Sequence, residues 1–176
     1  MYPLIAALGF VLFVIPSVGD NYWKAFFLPV IVLGFGMAVT VAPLTTDVMN
    51  SVDQDRVGTA SGINNAVARV AGVLAVAVFG IVMIYGFRGR FDRSLASFSL
   101  PSGIVEQIHA QESRLAGLQI PGGVDPKTVA SLKDLIGHAF VFGFRIVMVI
   151  CAGLSVGSAA VGWLMIPNAG EHEAVN

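Results

Sequence analysis

Val57–Gly80, reading VGTASGINNAVARVAGVLAVAVFG, is the stretch whose placement decides what this chain is. At about 100° per residue, Gly58, Gly62, Asn65, Arg69, Gly72 and Gly80 fall within an arc of about 80° on one side of a helix. Apart from Thr59, Ser61 and Asn64 near its start, the rest of that helix surface is Val, Ala, Ile, Leu and Phe. A guanidinium and a carboxamide among glycines cannot face lipid without a cost of at least ~2.5 kcal/mol. They must face protein or water, so the segment belongs to a bundle of spanning helices with a polar interior.

Composition agrees. Hydrophobic residues make up 56% of the 176 residues and charged residues 12%, against about 25% charged in an ordinary soluble domain. The mean hydropathy is +0.80. Tyr2–Gly19 and Ala25–Thr46 carry no charge, Val57–Phe87 carries only Arg69, and Ile146–Ala169 carries none. Each approaches or exceeds the ~20 apolar residues that cross a ~30 Å hydrocarbon core. The spacing therefore predicts an all-α, polytopic transmembrane bundle with four spans, at about 2–19, 25–47, 57–87 and 138–167, forming a bundle over 1–169. A polar extramembrane loop with short helices occupies 88–137, and a tail 170–176.

The first stretch lacks the basic n-region of a signal peptide and reads as a span. The net charge of −1 gives no reason to expect nucleic acid. Cys151 is the single cysteine, so no intrachain disulfide is possible, and it reads as a small buried apolar side chain. Inside the polar loop, Ile104–Leu118 has helical apolar spacing. Asp125-Pro126 reads as an N-cap followed by proline at the first helical position, on a helix leading into the fourth span.

Candidate site residues follow from polarity inside the spans. Asn65 and Arg69, one turn apart, are candidates for a transport cavity or gate. The structural alternative for Arg69 is capping of neighbouring carbonyls or snorkelling. A guanidinium attracts anions or carboxylates but stays charged, so it does not itself carry protons. Thr40 and Asp47 come second. Thr40 is more simply satisfied by the carbonyl one turn back, and Asp47, close to Asn50, Asp53 and Asp55, marks the membrane boundary more readily than a proton path. Pro29, Gly36 and Pro43 share a face with these two and read as helix-shaping residues. Gly58, Gly62, Gly72, Gly153 and Gly157 read as helix-packing positions. Glu171-His172-Glu173 is better explained as a solvated tail than as a chelator. No metal site, cofactor or catalytic constellation is expected, and the chain does not read as an enzyme.

Three stretches resemble a known family: Pro3-Leu-Ile-Ala-Ala-Leu-Gly-Phe10, Gly34-Phe-Gly-Met-Ala-Val-Thr-Val-Ala-Pro-Leu-Thr-Thr46, and Gly58-Thr-Ala-Ser-Gly-Ile-Asn-Asn65 followed by Arg69 and Gly72. They look like the C-terminal part of the fourteen-helix drug:proton antiporters of the major facilitator superfamily. His138-Ala-Phe140 to Gly143-Phe-Arg145 resembles the start of that family's last helix. The chain departs from the family at Val73 and Val76, where further glycines are common.

The resemblance implies the last four helices of a proton-coupled multidrug efflux transporter in a bacterial plasma membrane, working by alternating access and not competent for transport alone. Its implied partners are the helices that precede these in the same transporter, the lipid bilayer, and, in the complete protein, an amphipathic small-molecule substrate and protons. It also implies cytoplasmic termini, which puts the 88–137 loop outside. That loop holds Arg88, Arg90, Arg93, Arg114, Lys127 and Lys133 of the ten Lys and Arg residues, a distribution that by charge alone favours the opposite orientation. The family orientation is the one expected here, because earlier helices set topology in a complete chain. The rival readings are a small four-helix membrane protein acting as an oligomer, or a partner-binding accessory module.

Overall fold

The computed structural model describes residues 3–50, 52–98 and 100–165, and the side chains of Asp47, Val48 and Met165 lie outside that description. The described residues form helices and turns. In chain order these are α1 (Pro3–Leu12), α2 (Tyr22–Ala25), α3 (Phe27–Asn50), a 3-10 turn at Gln54–Arg56, α4 (Val57–Leu95), α5 (Ser102–His109), a 3-10 turn at Glu112–Gly117, and α6 (Pro126–Met165).

Three of them, α3, α4 and α6, are long and apolar enough to cross a membrane. The segment expected as the first span is shorter in helical form. Helix α1 stops at Leu12, so its ten residues rise only about 15 Å. The chain then turns through Pro16 and Gly19, the latter at φ +85°, where a side chain would be strained.

Helices α4 and α6 overrun the expected spans. At 39 and 40 residues they reach about 60 Å each, roughly twice the hydrocarbon thickness. The charges at Arg88, Arg90 and Arg93 end the apolar composition but not the helix, since Phe87, Phe91 and Leu95 continue one face at four-residue spacing and are all buried. The region 88–137, expected as an extramembrane loop with short helices, thus begins with the end of α4 and closes with the start of α6, with α5 and its following turn between them. The expected tail, including His172, lies outside the described residues.

The chain divides into two compact units, each described by itself. One comprises the described residues up to Ile15, Tyr22–Gly62 and those from Met148 onward; the other comprises Pro16–Asn21 and Ile63–Val147.

In the first unit α1 and α3 run antiparallel, as shown by two close approaches. A Cβ on Gly9 would lie 2.7 Å from Leu33 Cα, and one on Gly36 would lie 2.5 Å from Ala6 N. Hydrogen in place of a side chain lets the two backbones meet, the usual device where lipid supplies no hydrophobic drive for association. Gly36 is therefore a packing residue here. Within α3, Pro43 withholds the N–H that would close the turn to Val39, and Thr45 and Thr46 donate to the carbonyls of Val41 and Ala42.

In the second unit α4 and α6 form an antiparallel hairpin. Gly86 meets Gly143, and further toward the polar end Phe87, Phe91, Leu95, Leu132, Ile136 and Ala139 close a core with Ile108 and Leu118. Phe87 and Phe91 stack with centroids 5.2 Å apart. This core lies where charged residues begin. Removing these apolar side chains from water favours packing of this kind.

Helix α6 begins as its sequence dictates. Asp125 Oδ2 accepts the Thr128 N–H at 3.0 Å, and Pro126 occupies the first helical position. Hydrogen bonding from Thr128, its side chain first and its backbone N–H second, holds the Asp125 carboxyl below its ordinary value of 3.8.

Candidate functional site

Helix α4 carries two polar groupings, one in its apolar length and one at its polar end. The apolar grouping contains Asn65 and Arg69. No residue in the most apolar window of this helix is buried, and Asn65 and Arg69 are both exposed. A Cβ at Gly58, Gly62, Gly72 or Gly80 would meet open space. The arc of about 80° read from the sequence is thus a bare strip of backbone with a carboxamide and a guanidinium on it. Such a strip can accept a close-packed helix beside it or line a polar cavity.

The remaining candidates sit as follows. The Thr40 hydroxyl donates to the Gly36 carbonyl at 2.7 Å, which satisfies it locally. Pro29 is buried in the first turn of α3, and Pro43 is half-buried. The side chain of Asp47 lies outside the described residues, although its backbone continues α3. Gly153 and Gly157, like Gly58, Gly62, Gly72 and Gly80, meet open space. The glycines that closely approach another stretch of backbone are instead Gly9, Gly36, Gly86 and Gly143. Four-residue spacing of small residues finds surfaces that can approach closely, but which surface has a neighbour is a tertiary property.

The second grouping was not anticipated. Arg88 and Asp92, one turn apart on α4, face His109 at the end of α5 and Glu112 on the following turn. Glu112 is the buried charged residue among the described ones. Its Oε2 lies 2.8 Å from Arg88 Nε. That N–H is not aligned on the oxygen, so the contact is an ion pair rather than a well-formed hydrogen bond. Oε1 of Glu112 contacts His109 Nδ1, and His109 Nδ1 lies 3.7 Å from Asp92 Oδ1.

A buried carboxylate needs such partners, because an uncompensated charge away from water costs several kcal/mol. The sequence signals were faint: Arg88-x-x-x-Asp92 on a helix not expected to continue, and His109-x-x-Glu112 in a polar stretch. Arg145 also has a role here. Its guanidinium donates to the Pro16 carbonyl at 3.0 Å, which ties α6 to the turn after α1.

Comparison with known proteins gives distant but consistent relatives. The chain is 23% identical over 133 residues to the tetracenomycin C resistance and export protein of Streptomyces glaucescens, a match covering 74% of this chain and 25% of that protein. It is 24% identical over 140 residues to the multidrug resistance protein Stp of Mycobacterium tuberculosis, covering 76% of this chain and 26% of that protein. The chain thus spans about a quarter of the length of the curated relatives it matches. No protein-family model matches, and no solved structure matches. The relatives' names describe export and drug resistance rather than catalysis. Together with three apolar helices, they make this a membrane protein related at a distance to efflux proteins.

Proposed function

We propose that this chain is the C-terminal part of a proton-coupled multidrug exporter of the major facilitator type, working by alternating access in a bacterial plasma membrane. The observation that carries the reading is the bare polar strip of α4. A helix with Arg69 and Asn65 on a glycine-lined face, unburied within its own chain, is stable in a bilayer only if further helices or a water-filled cavity cover that face. The distant export and resistance relatives, matched over a quarter of their length, support a larger transporter as the source of that cover.

In this reading Asn65 and Arg69 contact the central cavity or its gate, and helices from the rest of the transporter pack on the glycines. Two bundles rock about the cavity, and inward proton movement offsets extrusion of an amphipathic compound. Proton-carrying carboxylates belong to other helices, since a guanidinium cannot titrate in the working range. The polar end of α4, with α5 and the start of α6, stands on the outer face.

Efflux of a fluorescent lipophilic cation from loaded cells tests this. Cells expressing the chain together with the helices encoded upstream of it should clear the dye faster than vector controls, and Arg69→Ala should abolish the difference. Cells expressing the 176 residues alone should match the controls. Equal efflux by Arg69→Ala and the unmodified protein would remove Arg69 from the cavity, and efflux by the 176 residues alone would favour a self-sufficient oligomer.

A further inference from the structure

We propose that Asp92, His109 and Glu112 form a binding site for a divalent transition-metal cation of the zinc class, which pins the polar end of α4 to the turn that follows α5. One ligand atom from each of the three residues lies within 4.8 Å of the other two. Around a single zinc ion, with bonds of about 2.1 Å, ligand atoms lie no more than about 4.2 Å apart. Closure therefore requires only small side-chain rotations, within reach of residues whose side chains are 47% and 45% exposed for Asp92 and His109.

The backbone around the donors is already held. Phe91, immediately before Asp92, and Ile108, immediately before His109, are fully buried in the same core. The donors thus project from two segments that hydrophobic packing has fixed side by side, and the ordering cost of assembling the site is largely met by the fold.

Glu112 is prepared as a ligand by its neighbour. Arg88 holds Oε2 at 2.8 Å, leaving Oε1 turned toward His109. A ligating carboxylate is commonly fixed in this way by an outer partner, which sets its orientation and keeps it monodentate.

Charge points the same way. Two carboxylates face one guanidinium, and a divalent cation held by Asp92, Glu112 and a ligating, hence neutral, imidazole would offset the second of them. One imidazole with two carboxylates is a borderline donor set. It suits zinc and its neighbours better than copper(I), which prefers sulfur, or magnesium, which prefers oxygen and water. The partial exposure of Asp92 and His109 leaves room for water to complete the coordination shell. This inference stands apart from the efflux reading, since it concerns only the polar end of the hairpin.

The test uses the full chain, purified in detergent through a tag without histidine, stripped with chelator and titrated with Zn²⁺ by calorimetry. The expected result is saturable binding of one ion per chain, weakened at least tenfold by Asp92→Asn and by His109→Ala, and unchanged by His138→Ala and His172→Ala. Circular dichroism checks that each variant keeps its helices. Should His109→Ala unfold, Asp92→Asn decides the matter, since that side chain lies outside the core. Absence of saturable binding, binding unaffected by Asp92→Asn, or binding lost with His172→Ala would each overturn the assignment.

Discussion

Gly86 of α4 and Gly143 of α6 meet backbone to backbone: a Cβ on Gly86 would lie 3.0 Å from Gly143 Cα. This contact sits just below the buried core that begins at Phe87, so it fixes how closely the hairpin closes as it leaves the apolar region. A Cβ on Gly143 would lie 3.0 Å from the Met83 carbonyl oxygen and 3.3 Å from Phe87 N, and backbone atoms cannot rotate aside. Gly143→Ala should therefore destabilise the chain by ~1–3 kcal/mol through overpacking, partly offset by the ~1 kcal/mol that alanine gains over glycine in a helix. Thermal unfolding in detergent, followed by circular dichroism, measures the difference; an unchanged midpoint would mean the hairpin is looser than described.

Glycines of α3 and α4 separate packing inside the chain from packing against something else. Gly36→Ala places a methyl 2.5 Å from Ala6 N and should separate α1 from α3. Gly62→Ala and Gly72→Ala meet open space, so in the chain alone they should be neutral or stabilising by up to ~1 kcal/mol. Under the proposed reading, in which further helices cover this strip, the same two substitutions should impair dye efflux by the longer protein. Tolerance in both settings would argue that nothing packs on that face.

Arg145 ties α6 to the Pro16 carbonyl. A hydrogen bond from a charged group is worth about 1.5–3 kcal/mol net, so Arg145→Ala should lower the unfolding midpoint, with Arg145→Lys recovering part of the loss. The readout that isolates this contact is labelling of a cysteine placed at Val18, in a Cys151→Ser background: modification should speed up in Arg145→Ala. Equal rates would show that the guanidinium does not hold the turn.

The start of α6 should respond to acid. Because Thr128 lowers the folded-state value of Asp125, the carboxylate's contribution is fully present above its unfolded value and disappears as pH falls through the lower folded value. Hydrogen exchange at the Thr128 amide should therefore accelerate, after correction for intrinsic rates, only in strongly acidic solution. Asp125→Asn should retain the cap while removing that pH dependence, and Asp125→Ala should show the fast exchange already at neutral pH.

Much of the architecture was legible because its cause is local. Apolar runs report a solvent, so membrane class and helical content follow from composition, and Asp125-Pro126 announces the start of α6 by capping chemistry alone. Helix ends were harder. The charges at Arg88, Arg90 and Arg93 looked like a boundary, yet Phe87, Phe91 and Leu95 kept one face apolar and carried α4 onward. The reverse held for α1, where eighteen uncharged residues yielded a ten-residue helix.

What the sequence determined by itself is the oil-facing, helical character of the chain and the polar strip containing Asn65 and Arg69, because periodicity and transfer free energy act residue by residue. Only the tertiary structure decided which glycines touch a backbone, that Arg145 reaches Pro16, and that Arg88, Asp92, His109 and Glu112 converge. Those contacts join separate elements of the chain, and their positions depend on how α1 meets α3 and how α4 and α6 close over a shared core, matters no local pattern encodes.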